Sequence, residues 1–498
     1  MQRIIMKPSF LICLSLISQG IASVEYMGNC EEDSHCFSTY SPKYFCIEKR
    51  CRHTSLDITS LKEIVGIILL LIISGLTNAG GIGGGAVIVP VYLFSMEYSI
   101  GDSVPLAKAT IFGGAIVTLF ANINRRKLRD PSQPLNDYRI ASFIVPLMLS
   151  GSLIGVMLTK IVPSAVILFF MVTYLMTSSY QIFFKAVAYS RKENETKKKK
   201  VIQTIEDTPE KNKYRLYERT PAKELPRSIQ ELEEDHLVLT RPVEDAPELS
   251  SILKPFYFNI SMCIFSYLVI LIVAVLRGGK GFKSLVGITY CSSTSFLILI
   301  FGEITCITIA LLICFKEKLD FAPKPININT ETKEDSEITQ ESSNQLAERV
   351  DSAIIFSKTT ILTCAKIYFG GMLADMIGIG GGVVVNPLLL TLGYSPEIAA
   401  TISGFVVLFT SLSTSTQFLI AGAYDFKNSI SILAFSIIGS YFGKRYVDKV
   451  VEKLGRPSLL VWILFFITVI SAFVLPGVGI LKIIHEESPF SIGHICEA

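Results

Sequence analysis

Three ionisable side chains stand out within the apolar runs of this chain: Lys108, Glu303 and Asp375. Burying such a group in hydrocarbon costs at least ~2.5–3.5 kcal/mol on insertion scales, so each needs a partner or a function. Asp375 lies just ahead of the glycine-rich stretch GIGGGVVVNP (Gly378 to Pro387), where a carboxylate is placed to carry a coupling proton. Lys108 sits a few residues inside its run, and two readings stay open: attraction of an anion, or snorkelling to the interface. Glu303 reads as a structural hydrogen-bonding group, and Lys366 as an arm-end or packing residue.

The glycines offer a second kind of chemistry. Thr77 to Pro90 reads TNAGGIGGGAVIVP, with a formal G-x-G-x-x-A match beginning at Gly81. A dinucleotide loop needs a strand before it, a helix after it and an acidic residue about twenty positions on, in a water-facing α/β unit. Here both flanks are apolar enough to lie in a membrane. Glycines there allow the backbone to break, which is tolerated only where protein or a wet cavity satisfies the freed polar groups. The N–H groups that start a returning half-helix, with the positive end of its dipole, suit an anion. The competing reading is close helix packing at small residues. The anion reading is preferred because the stretch is duplicated and bracketed by Asn78 and Asp375. The candidate binding residues are Asn78, Gly81, Gly83, Gly84, Gly85, Lys108 and Thr110 in the first copy. In the second they are Gly378, Gly380, Gly381, Gly382, Asn386, Thr401 and Ser403.

Those residues need a membrane scaffold, and the composition supplies one. Half of the 498 residues are hydrophobic and 18% are charged, against roughly a quarter in soluble domains, and the mean hydropathy is +0.49. The net charge of +3 is too small to argue for nucleic acid. Apolar runs occupy 63–95, 104–123, 138–161, 164–185, 256–276, 284–315, 357–393, 396–420, 428–443 and 458–480, and most can cross about 30 Å as helices. The expected fold is an all-α polytopic membrane protein.

Four landmarks recur in order. GIGGGAVIVP (81–90) matches GIGGGVVVNP (378–387), ATIFG (109–113) matches ATISG (400–404), GSLIG (151–155) matches GSYFG (439–443), and Pro163 matches Pro457. This is an internal duplication. Cytoplasmic placement of NRRKLRD (124–130) and GKRYVDKVVEK (443–453) by the positive-inside rule requires each copy to open with a re-entrant hairpin, and makes the copies inverted. An extra helix pair lies between them.

The expected divisions are a signal peptide at 1–22, an ectodomain at 23–60, repeat 1 at 61–185, a cytoplasmic linker at 186–253, the extra pair at 254–315, a second linker at 316–356, repeat 2 at 357–480 and a tail at 481–498. Arg3 and Lys7 precede FLICLSLIS, and GIA at Gly20 to Ala22 offers a cleavage site, implying a secretory route to the plasma membrane or an endomembrane. Cys30, Cys36, Cys46 and Cys51 suggest two disulfides of open connectivity; their spacing fits no common zinc pattern. The charged linkers read as disordered, apart from a short helix at SIQELEEDHLVL.

The duplicated NAGGIGGGAVIVP and DMIGIGGGVVVNPLLLTLG, each followed by an A-T-x-x-G helix, resemble the TauE/SafE sulfite exporter family in its eukaryotic form. The resemblance covers about 61–185 and 254–480. It implies transport of sulfite, organosulfonates or related small sulfur-containing anions by alternating access. No enzyme motif, metal site or cofactor site is apparent. The expected partners are a small anionic substrate and lipid, and the sequence is compatible with a homo-oligomer. The rival reading is a receptor or adaptor acting through ectodomain and linkers.

Overall fold

The computed structural model describes residues 44–47, 50–53, 60–81, 83–98, 100–126, 133–206, 254–279, 281–288, 292–317, 358–423, 426–454 and parts of 456–476. The signal segment, Cys30 and Cys36, the expected helix at 228–239, most of both linkers and the 481–498 tail lie outside the described residues.

Two short antiparallel strands, β1 (Tyr44–Ile47) and β2 (Arg50–His53), pair with Cys46 opposite Cys51. Everything else described is helical or connecting loop, and seven helices are long and apolar enough to cross a membrane. The protein is an all-α, integral multi-pass membrane protein.

The first copy opens with α1 (Leu61–Ala79), which rises roughly 28 Å at 1.5 Å per residue, about the thickness of the hydrocarbon core. It stops at glycine. After the break, α2 (Gly85–Phe94) has ten residues and spans only about 15 Å, half a membrane. Glu97, beyond α2, bonds Lys62 at the start of α1 at 2.6 Å, so the chain returns to the end from which it came. The full-length helices α3 (Ile100–Asn122) and α4 (Tyr138–Ile161) follow, and then α5 (Ser164–Glu206). The second copy repeats the plan with α8 (Lys358–Ile377), the half-helix α9 (Gly382–Thr391), α10 (Pro396–Ala421) and α11 (Phe426–Leu454). Between the copies stand α6 (Tyr257–Arg277) and α7 (Ser293–Glu317).

The copies exchange partners. α1 packs along α11, and α8 packs along α4. The duplicated G-S-x-x-G segments make both contacts possible. Gly75 of α1 lies against Gly439 and Gly443, and Tyr368 and Met372 of α8 lie against Gly151 and Gly155. Small residues four apart let helix backbones approach, which replaces the hydrophobic driving force that lipid removes. At the centre, α3 packs on α10 and the two run antiparallel: Thr118 meets Gly404, and Val104 shares a cluster with Phe418. α4 and α10 form the interior, with 89% and 78% of their spans buried, whereas α6 and α7 are 28% and 33% buried and form the periphery.

One end of the bundle is basic. Arg125 and Lys444 share the Asp448 carboxylate at 3.1 and 3.6 Å, Arg139 meets Glu317 at 3.5 Å, and Glu397 is within electrostatic reach of Arg125. The α6–α7 connection docks at the opposite end, where Gly281 and Phe282 N–H groups donate to Ile420 O.

Three boundaries differ from the sequence reading. α5 runs on through RKENETKKKKVIQTIE to Glu206, so the first linker begins helical. Glu, Lys and Gln favour helix. The run at 284–315 becomes helical only at Ser293. Ser284 Oγ accepts from Val286 and Ile288 N–H and donates to Leu276 O, a local turn that competes with helix. α11 extends past the apolar 428–443 run to Leu454.

Candidate functional site

The breaks share their backbone conformation at two matched pairs and differ at a third, where Gly84 is left-handed with φ of 80° and Gly381 right-handed with φ of −59°. Gly81 and Gly378 have φ of 67° and 82°, and Gly83 and Gly380 have 84° and 90°, conformations that L side chains rarely adopt. Glycine is therefore required here by geometry, not only by packing. The breaks also touch: a methyl on Gly85 would overlap the Gly378 carbonyl oxygen. The N-termini of α2 and α9 thus converge between the two copies. Gly84 and Gly381 occupy their N-cap positions, and neither half-helix has a side-chain cap. Two positive dipole ends face one region, and within their first turns the Val87, Val383 and Val384 N–H groups donate to the Gly84, Gly380 and Gly381 carbonyls.

Side chains from one copy hold the break of the other. Asn386 of α9 donates to Gly80 O at 2.8 Å. Ser403 of α10 donates to Gly81 O at 2.6 Å and lies 3.4 Å from Gly382 O. Thr110 of α3 shares a hydrogen bond with Tyr92 of α2 at 2.5 Å and donates to Leu106 O within its own helix. Thr401 is buried, but its hydroxyl donates to Glu397 O and reaches neither break.

Lys108 and Asp375 form one unit. Lys108, on α3, is fully buried, which removes the snorkelling alternative. Its Nζ pairs with Asp375 Oδ1 at the end of α8 and also donates to Ala374 O at 3.1 Å. Asp375 Oδ2 accepts from Thr414 Oγ1 of α10 at 2.9 Å. This triad flanks the breaks on the side away from the basic end. At the matching place on the other side stands Asn78, whose amide donates to Ser74 O at 2.7 Å and Ser440 Oγ at 3.0 Å. Thr118 donates to Asn78 O, and Ser74 Oγ is buried without a hydrogen-bond partner. One flank therefore carries an ion pair and the other only neutral donors and acceptors.

Of the remaining ionisable residues, Glu303 accepts from the Tyr368 hydroxyl and so ties α7 to α8, as a structural group would. Lys366 is exposed on α8. Sequence reasoning missed Tyr92, Thr414, Ser440 and Ser74. The hydroxyl-rich SLSTST run at 411–416, unusual inside an apolar helix, was the signal available for Thr414.

The arrangement offers directed N–H donors, converging helix dipoles and one buried cation beside a carboxylate. That is equipment for holding an anion. Among the described residues there is no group of three or more His, Cys, Asp or Glu side chains that could hold a metal ion.

The family model described as Sulfite exporter TauE/SafE matches residues 65–208 and 257–475. Among individual proteins, "Sulfite exporter TauE/SafE family protein 2" of Arabidopsis thaliana is 24% identical over 441 residues, covering 88% of each chain. "Sulfite exporter TauE/SafE family protein 5" of the same plant is 23% identical over 437 residues, covering 85% of this chain and 87% of its own. "Probable membrane transporter protein YunE" of Bacillus subtilis (strain 168) is 30% identical over 109 residues, 20% of this chain and 38% of its own. No solved structure matches.

Proposed function

The chain belongs to the sulfite exporter TauE/SafE family, a family of membrane transporters and not of enzymes, and from that premise we propose that it moves small sulfur-containing anions, sulfite or organosulfonates, by alternating access. The observation that carries this reading is the meeting of the two glycine breaks between antiparallel α3 and α10, with Ser403 and Asn386 reaching across copies to hold them. Inverted copies with broken helices and a central site are a recurrent transporter plan, and rocking of the copies exposes such a site to each side in turn. The antiparallel run of α3 and α10, with the reciprocal packing of α1 on α11 and α8 on α4, supports an inverted repeat.

In this mechanism the N–H groups of Gly85 and Gly382, which open α2 and α9, bind the oxyanion. Lys108 attracts it, and Asp375 carries the coupling proton. An ionised Asp375 holds Lys108 in a neutral pair; a proton on Asp375 releases the ammonium charge to the substrate. Ser403 and Asn386 act by fixing the breaks. The basic end faces the cytoplasm, and Cys46 opposite Cys51 supports a disulfide-bearing ectodomain on the other side.

Uptake of labelled sulfite, sulfate and methanesulfonate into proteoliposomes, with and without a pH gradient, tests the proposal. Uptake of sulfite or of an anionic organosulfonate such as methanesulfonate above protein-free vesicles, steepened by the gradient, is expected. Absence of uptake for all three rules the reading out.

A further inference from the structure

The two flanks of the breaks differ in charge, and that difference limits which anion fits. The position matched to Asp375 holds Asn78, and the position matched to Lys108 holds Ala399. Around the breaks themselves the partners are serine, threonine, asparagine and tyrosine. The local charge is therefore one buried ammonium and one buried carboxylate, a sum of zero. Both are almost wholly removed from solvent, with side-chain exposures of 1% and 2%. In a low-dielectric interior an added charge is costly unless something cancels it.

Resting on the transport reading above, we infer that the substrate is a singly charged oxyanion carried together with one proton, so that the loaded site is electrically neutral. An arriving monoanion brings −1 and the proton on Asp375 brings +1, and Lys108 then faces the anion in place of the carboxylate. A dianion leaves one charge uncancelled. The half-helix ends soften that charge but supply only partial positive charge.

Among the described residues, the hydrogen-bond and ion-pair partners of Asp375 include no second carboxylate. Lys108 is the charged side chain that faces Asp375 from α3, and Thr414 faces it from α10. Among the described residues α4, α5 and α9 present no ionisable partner to it. Glu303 is bonded to Tyr368, Lys366 is exposed on the same helix, and Glu397 lies at the basic end beside Arg125.

The experiment uses anions of fixed charge in proteoliposomes of the full chain: methanesulfonate as permanent monoanion, ethane-1,2-disulfonate as permanent dianion, and sulfite as reference. Methanesulfonate uptake should follow an inward proton gradient and change less than about twofold when an inside-positive or inside-negative potential is imposed, because no net charge crosses. The disulfonate should move at under about a tenth of that rate. Comparable disulfonate uptake, or methanesulfonate uptake that follows the potential, overturns the inference while leaving transport intact. If sulfite and methanesulfonate both fail to move, the transport reading falls and the inference with it. Asp375→Asn adds an independent readout. It keeps a partner for Thr414 but leaves Lys108 permanently uncancelled, so methanesulfonate uptake should lose its proton dependence and become potential-driven by at least about threefold. Retention of electroneutral, proton-driven uptake in that variant overturns the inference.

Discussion

The Ser403 hydroxyl donates to the Gly81 carbonyl at 2.6 Å and stands 3.4 Å from the Gly382 carbonyl, so a single side chain on α10 touches both glycine breaks. A hydroxyl has one proton to give. The two carbonyls therefore compete for it, and any movement of one copy against the other changes the terms of that competition.

Ser403→Ala leaves the buried Gly81 carbonyl without its donor, at a cost of about 1–3 kcal/mol. A lower unfolding temperature in detergent and a reduced maximal transport rate are expected. An unchanged protein in both measurements would mean that the bond is incidental.

The buried ion pair invites a double-mutant cycle. Lys108→Met or Asp375→Leu alone strands a buried charge and should destabilise by about 3–5 kcal/mol, whereas the double variant should recover much of that loss. Chemical denaturation of the detergent-solubilised protein reads the cycle. Additive losses in the double variant would contradict the pairing.

Gly85 and Gly393 separate two reasons for glycine. Gly85→Ala drives a methyl into the backbone of the opposite break, so loss of folded protein or of all transport is expected. At Gly393, φ is 89° and nothing lies within 4 Å, so Gly393→Ala should cost only about 1–2 kcal/mol of backbone strain and keep transport. Equal effects from the two substitutions would remove the contact between breaks from the account.

Arg125 and Lys444 meet on Asp448, so single cysteines at Arg126 and Arg445 should react with an impermeant thiol reagent from one side of the membrane. A cysteine at Glu97, beside Lys62, should react from the other. Labelling of Arg126→Cys and Glu97→Cys from the same side would break the proposed path of the first copy.

Much of the fold was legible because its decisive residues are local and repeated. Glycines at 81–85 and 378–382 mark the breaks wherever the rest of the chain goes, and seven of the apolar runs hold candidate spans, whereas those at 164–185 and 428–443 lie in α5 and α11, which are not among the seven. Lys108, Glu303 and Asp375 stood out singly, since any charge in an apolar run does. Their partners did not: nothing in a linear reading links Lys108 to a carboxylate on α8, or Glu303 to Tyr368, because those meetings depend on how helices distant in sequence pack. Ser403 and Asn386 stood out as polar groups near the breaks, but their hydrogen bonds to the Gly81 and Gly80 carbonyls depend on packing between the copies, which a linear reading does not give. The true start of α7 was hidden because Ser284 closes a turn inside an apolar stretch, where hydropathy alone cannot tell turn from helix.

The exchange of α1 and α8 between copies bears on biogenesis. α1 enters the membrane early in synthesis, yet the G-S-x-x-G surface against which Gly75 packs belongs to α11, which emerges only after the whole of the intervening chain. A nascent first half therefore waits in the bilayer with its opening helix unmatched, and a ribosome that stalls before α11 leaves a fragment that has no means to finish its own core. The same dependence lets severed halves find each other: made as two polypeptides cut between α5 and α6, each would carry what the other lacks.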